Sequence, residues 1–351
     1  MHYIATLPHI QALGSGSFGQ VNLCQDAAHG PVAVKFFYRC NFGSTAEWLK
    51  ACAEALAEAQ NMKALEHRNV VPIYQVLQGP NADEFLIVMQ YCEGGSVAAV
   101  ASTNVINLTE VKRLVRDAAI GLCYIHNRGY IHRDIKPDNI FRMSNGDVKI
   151  GDFGFVTDKL LLGFVEGAGT PEYIAPEVMK TLKCSILTDV YSLGATFLHL
   201  THGDFWFSRT GKHAILKHLD FKGELWPVIA DSYAFLPHVP VSWRKAIKKM
   251  THSDPYKRYP SMEACVDAIS RLPIVMDWQC VVARDSVSWS RVKENRVWRV
   301  EWKDYFTPTE TWVAWSEDLD GTKKKTLGKS KPEDKPSAHY RTLQKWFADR
   351  E

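Results

Sequence analysis

No run of about 18 apolar residues occurs anywhere in the chain, so the sequence offers no membrane-spanning helix. Residues 1–11 have neither a basic start nor an apolar core, and no secretory leader is expected there. The eight cysteines, at positions 24, 40, 52, 92, 123, 184, 265 and 280, form no CxxC pair and no Cys/His cluster. That removes zinc and a disulfide framework and points to a reducing compartment such as the cytoplasm. A net charge of +3 is too small to imply a nucleic-acid partner, and no segment repeats. What is present is an ordinary folded composition: 351 residues at 46% hydrophobic content suffice for a large domain and a smaller appendix.

The most informative stretch is Tyr130-Ile131-His132-Arg133-Asp134-Ile135-Lys136-Pro137-Asp138-Asn139, with Asp152-Phe153-Gly154 shortly after it. It gathers a proton acceptor, a cation for phosphate and two hard oxygen ligands, which is the set that phosphoryl transfer from ATP to a hydroxyl requires. Asp134 can orient a hydroxyl and accept its proton, Lys136 can neutralise the moving phosphoryl group, and Asn139 with Asp152 can ligate Mg²⁺. A polar loop with chance carboxylates would not place these roles in this order. Here the chain resembles the eukaryotic-type protein kinases, whose catalytic loop and activation segment these blocks match.

The resemblance covers residues 9–273 and implies an α+β fold of two lobes: a β-rich N-lobe over 1–88, a hinge at 89–95 and a mainly helical C-lobe over 96–274. Gly14-Ser15-Gly16-Ser17-Phe18-Gly19-Gln20-Val21 resembles the glycine-rich loop that covers ATP phosphates. In Val32-Ala33-Val34-Lys35 an alternating strand presents Lys35 to the phosphates while Ala33 leaves room for adenine. A buried ammonium needs a carboxylate. Glu47, Glu54 and Glu58 all lie on a helix that the capping box Ser44-Thr45-Ala46-Glu47 opens. Glu58 is chosen because Met62, Leu65, His67 and Asn69-Val70-Val71 follow it at the family spacing. By resemblance Met89 guards the back of the pocket, the backbone of Gln90 to Cys92 meets the adenine edge, and Val21, Ala33 and Phe141 enclose its faces.

Gly169-Thr170-Pro171-Glu172-Tyr173-Ile174-Ala175-Pro176-Glu177 resembles the end of an activation segment, where a peptide docks. Thr170 then belongs to a substrate platform, and with Lys136 it suggests the serine/threonine branch acting on proteins. By the same resemblance Asp189 holds the catalytic-loop backbone, Arg258 pairs with Glu177, and Met62, Ile73, His132 and Phe153 stack between the lobes. Asp158 to Gly169 has no Ser, Thr or Tyr, and Glu166 occupies the family's usual phosphorylation position. A carboxylate there can pair with Arg133, although with less charge than a phosphate. Thr157 and Glu54 stand where further basic residues often occur. A scaffold with no catalysis and a small-molecule phosphotransferase remain as alternative readings.

The family resemblance stops near Pro273. Seven of the eleven tryptophans lie in the last 76 residues. Trp298-Val300-Trp302 alternate with charged residues, the signature of a strand with one buried face. Lys293-Glu294-Asn295 reads as a hairpin turn and Thr311 to Trp315 as a further strand. A Trp-rich antiparallel appendix is therefore expected over 275–320, packed on the C-lobe or presenting a partner-docking surface. Residues 321–337, with Lys323-Lys324-Lys325, Lys329, Lys331 and two prolines, read as a flexible linker. Tyr340, Leu343, Trp346 and Phe347 recur at helical spacing, which predicts an amphipathic helix over 338–351.

Overall fold

The structure is a computed structural model that describes residues 7–16, 19–41, 43–50, 52, 53, 56, 66–78, 83–102, 105–152, 171–208, 235–274, 277–305, 307–331 and 336–350. The N-lobe is a five-stranded sheet in the order β1-β2-β3-β5-β4, with β1 His9–Gly16, β2 Gly19–Asp26, β3 Gly30–Tyr38, β4 Ile73–Gln78 and β5 Glu84–Gln90. Val32 and Val34 on β3 pack with Leu86 and Val88 on β5 under one face, as alternating β-branched strands do. Residues 45–50 are helical, and Ser44 Oγ accepts the Glu47 N–H at 3.2 Å, so the expected cap forms. Glu54, Glu58, Met62 and Leu65 lie outside the described residues.

The C-lobe follows with α1 Val97–Ala101, α2 Leu108–His126, the hairpin β6 Ile140–Arg142 and β7 Val148–Ile150, α3 Pro176–Thr181, α4 Ile186–Trp206, α5 Val241–Met250 and α6 Met262–Ser270. The two longest helices, α2 and α4, begin at side-chain caps that their sequences dictate. Asn107 accepts the Glu110 N–H at 2.8 Å at the head of α2, and Ser185 with Thr188 forms a reciprocal capping box at the head of α4. The body of α4 is buried on all sides and is the axis of the lobe. No helix among the described residues is long and apolar enough to cross a membrane.

The C-terminal extension departs from expectation in extent. It is a five-stranded antiparallel meander in the order β12-β11-β10-β9-β8, with β8 Gln279–Val282, β9 Ser286–Lys293, β10 Arg296–Lys303, β11 Thr311–Asp318 and β12 Lys325–Lys329. Glu294 and Asn295, both at positive φ (50° and 63°), make the tight turn between β9 and β10. The stretch expected to be a linker instead contributes β12, because Thr326 and Gly328 pair with Trp315 and Ala314 while the lysines face outward. Polar composition hid a short edge strand. The final helix, α7 Pro336–Ala348, starts two residues earlier than expected and lies on the sheet. Gly328 makes that approach possible: a Cβ there would stand 2.8 Å from the Trp346 indole.

Of the two expectations for the extension, the structure shows packing on the C-lobe. Trp206 meets Trp302 and Tyr305, buried His238 meets Trp289 and Phe347, and these aromatic residues belong to one continuous core with the C-lobe helices. Buried Arg244 donates to Tyr340 Oη at 2.8 Å and to the carbonyls of Leu236, Pro237 and Val239, while Tyr340 donates to Phe235 O at 2.8 Å. These bonds satisfy a buried guanidinium that would otherwise be costly to enclose.

Candidate active site

The site is built upward from Asp189, a fully buried carboxylate near the start of α4. Its two oxygens accept the backbone N–H groups of His132 at 2.7 Å and Arg133 at 2.9 Å, and one also meets His126 Nε2 at 2.8 Å. Two of these bonds hold a segment that belongs to neither helix nor strand, in which Arg133 stands at a positive φ of 74°, and the third joins the same carboxylate to the end of α2. His126 was not legible in advance; its signal is only its position at the end of α2, just ahead of the loop.

His132 is buried and neutral, since burial pushes its pKa down. Its Nδ1 accepts the Asp134 N–H at 3.3 Å, which leaves Nε2–H to donate to Gly151 O at 3.1 Å. One imidazole therefore ties the residue before Asp152 to Asp134. Asn139 adds a second tie: its side-chain amide nitrogen donates to Asp134 O and Oδ2, both at 2.8 Å, and its backbone carbonyl accepts the Gly151 N–H at 3.0 Å. The amide is thereby oriented with Oδ1 left as the atom available to a cation. Lys136 Nζ stands 2.9 Å from Asp134 Oδ2.

Across the cleft, Lys35 on β3 sits between Val21 on β2 and Ile87 on β5 in register. Its ammonium contacts the Asp152 carboxylate directly. Burial works against ionisation of Asp152, but the Lys35 charge and hydrogen bond, with Lys136 beyond, outweigh it and hold the carboxyl below its usual range. Asp152, like Arg133, has positive φ (62°). Ala33 pairs with Met89 in register, and Gln90 N–H donates to Pro72 O at 3.1 Å, fixing the path into the hinge. Cys92, next in the hinge, is buried, and its thiol is pushed up to about 12 by that burial, so it stays protonated. Phe141 on β6 packs against Gly151, the residue before Asp152. Gly14, Gly16 and Gly19 lie at the β1–β2 tip, where Gly16 faces Gly19 and Gly14 faces Val21.

Phe18, Glu58, Phe153, Glu166 and Thr170 fall outside the described residues. The structure thus brings Lys35, Asp134, Lys136, Asn139 and Asp152 together.

The protein kinase domain family model matches residues 8–268. The chain belongs to the protein kinase family. It is 31% identical over 227 residues to serine/threonine-protein kinase TOS3 of Saccharomyces cerevisiae, covering 57% of this chain and 40% of that protein. Serine/threonine-protein kinase ppk34 of Schizosaccharomyces pombe is 32% identical over 209 residues, covering 57% and 56%. Serine/threonine-protein kinase GRIK2 of Arabidopsis thaliana is 32% identical over 206 residues, covering 56% and 50%. The chain spans about half the length of these relatives or less.

For a protein kinase the donor set fits the family's cofactors. Asn139 Oδ1 and the Asp152 carboxylate are hard oxygens suited to Mg²⁺, and Lys35 is a cation suited to phosphate. Ile174, Ala175 and Val178 line a small cleft together with Arg133, Asp134 and Cys184. Glu177 and Arg258 anchor it from beneath.

Proposed function

We propose that the chain is an ATP- and Mg²⁺-dependent kinase that phosphorylates serine and threonine hydroxyls of proteins in a reducing, cytoplasmic type of compartment. One observation carries the reading. Asp134, Lys136 and Asn139 are fixed by mutual contacts on a loop pinned by Asp189, opposite the Lys35–Asp152 pair. ATP supplies the γ-phosphoryl group, and Mg²⁺ offsets the charge on its oxygens. Asn139 and Asp152 would hold the cation, and Lys35 the phosphates.

The chain's own residues do the rest. Asp134 accepts a hydrogen bond from the substrate hydroxyl, aligns its oxygen and takes its proton as the new O–P bond forms. Lys136, already beside Asp134, supplies positive charge where negative charge accumulates. The apolar cleft flanking Asp134 receives a peptide residue next to the acceptor, which supports a protein over a small molecule. Mass spectrometry of a generic protein incubated with the enzyme and Mg·ATP tests this. Phosphate on serine or threonine is expected; no transfer supports a scaffold, and transfer to small molecules alone overturns the protein-substrate assignment.

The same reading includes independence from activation-loop phosphorylation. Asp158 to Gly169 offers no hydroxyl to modify, and Glu166 occupies the usual position with a permanent charge for Arg133. Bacterially expressed enzyme should keep its activity after phosphatase treatment, while Glu166→Ala and Glu166→Gln should lower kcat/KM. Loss of activity on phosphatase treatment, or unaltered kcat/KM in both variants, would count against it.

A further inference from the structure

Four residues that the phosphoryl-transfer chemistry does not use stand in line between the platform and the C-terminal sheet. Tyr173, beside Ile174 in the cleft wall, has its hydroxyl 2.5 Å from His199 Nδ1. The other nitrogen of that imidazole, Nε2, bonds Asp204 Oδ1. Two residues on, Trp206 is buried with its ring 6.0 Å from Trp302 and 5.4 Å from Tyr305 of the extension. Phe207 then closes over the imidazole, stacked on it at 4.3 Å and 8°.

This alignment depends on a break in α4. Asp204 follows His199 by five residues, a spacing that does not bring side chains together on a regular helix. Gly203 interrupts the helix with φ 73° and ψ 165°, a region essentially reserved for glycine, and the chain turns so that Asp204 reaches back to His199. The same turn sends Trp206 into the extension. Burial, with the carboxylates of Asp138, Glu172 and Asp204 nearby, pushes the Tyr173 phenol up, so it keeps its proton. The hydroxyl can then donate to His199 Nδ1 while Nε2–H donates to Asp204, which gives each atom of the chain one consistent role. Ser192 Oγ donates to Tyr173 O at 2.7 Å and fixes the backbone at the platform end.

We propose that Tyr173, His199 and Asp204 are positioning residues forming a relay through which the C-terminal extension fixes the peptide platform beside Asp134. The proposal rests on the protein-kinase reading. In it the extension acts on peptide binding from behind the platform: Trp302 and Tyr305 hold Trp206, Trp206 sets the turn after Gly203, and the turn aims Asp204. Slackening any link lets Tyr173 shift and widens the cleft that Tyr173 and Ile174 share with Arg133 and Asp134. The nucleotide side, built on β3, the hinge and Asp152, is untouched.

Steady-state kinetics on the full chain, varying peptide and ATP separately, test this. Asp204→Asn, His199→Leu and Trp302→Leu are each expected to raise KM for the peptide about tenfold, the scale of one charge-assisted hydrogen bond. KM for ATP and kcat should change less than about twofold, and Asp204→Glu should recover most of the loss. In the double variant Asp204→Asn/Trp302→Leu the peptide KM should rise by much less than the product of the single effects, because both cut one chain. Should Trp302→Leu fail to fold, Tyr305→Leu takes its place. Unchanged peptide KM in folded variants overturns the relay, as do effects that multiply independently or that fall equally on ATP. Absence of phosphoryl transfer by the unaltered enzyme is a different result: it removes the kinase reading and the relay with it.

Discussion

Arg258 grips Glu177 with two parallel bonds, its Nη1 and Nη2 donating to the two carboxylate oxygens at 2.6 and 2.7 Å. The guanidinium is wholly enclosed and also donates to the carbonyls of His252 and Leu187 at 2.7 and 2.8 Å, above the Tyr191 ring. Removing Glu177 strands that charge. Glu177→Ala should cost about 3–5 kcal/mol, read from urea unfolding. Arg258→Lys should recover little of the loss of Arg258→Leu, because an ammonium cannot reproduce the fork. A Glu177→Ala protein as stable as the parent would contradict the assignment.

Asp152→Asn removes the anionic charge from the cation site, and Lys35→Met removes the charge opposite the phosphates. Each should lower kcat by roughly 10²–10³ with Mg²⁺ as the metal. Their direct contact means each variant also frees its partner, so the double variant should lose less than the product of the two effects. Melting temperature and far-UV circular dichroism check that the fold survives.

Acid should attack the seam between the C-lobe and the extension. His202 and His238 are enclosed there, His202 donating through Nδ1 to Leu198 O at 2.6 Å and facing Phe235, His238 facing Trp289 and Phe347. Burial, reinforced by Arg244, pushes both down to about 3. The unfolded chain takes up these protons near pH 6.5, and the folded chain resists until about 3. Their contribution to stability is therefore complete above pH 6.5 and declines as pH falls toward 3. Melting temperature should drop with acidification across that window, and His238→Phe should flatten the slope. An unchanged slope in that variant would assign the acid sensitivity elsewhere.

Gly328→Ala should destabilise the protein by about 1–3 kcal/mol, since the added methyl meets the Trp346 indole at 2.8 Å and α7 must lift from the sheet. Trp346 Nε1 also donates to Leu327 O at 3.3 Å, a bond that the lift would stretch. Thermal unfolding of the variant measures the effect.

The kinase half was legible in the sequence because its function needs unusual residues in a fixed order. Asp134, Lys136 and Asp152 sit on irregular backbone and Asn139 on a single 3-10 turn, so no periodicity competes with the motif, and Asp189 and Arg258 could be assigned as their supports. The extension was legible only where its alternation was strong. Trp298 to Trp302 and Thr311 to Trp315 read as strands, whereas β8 is four residues long and β12 is built from Lys-Thr-Leu-Gly-Lys, which resembles a solvated linker. The relay from Tyr173 to Asp204 could not be read. Its five-residue spacing fits neither helix nor strand, and only the reversal at Gly203 brings the partners together.

The family match ends at residue 268, yet the apolar core is continuous across that boundary: Trp206, Trp243 and Phe235 share one interior with Trp302, Tyr340 and Phe347. The unit that is inherited and the unit that folds are therefore different lengths of chain. A kinase exchanged into another protein at the family boundary would carry its chemistry intact and leave half its foundation behind. A change of side-chain volume on one side of that interior is therefore felt on the other, so substitutions in the extension and in the helices that it covers are energetically coupled.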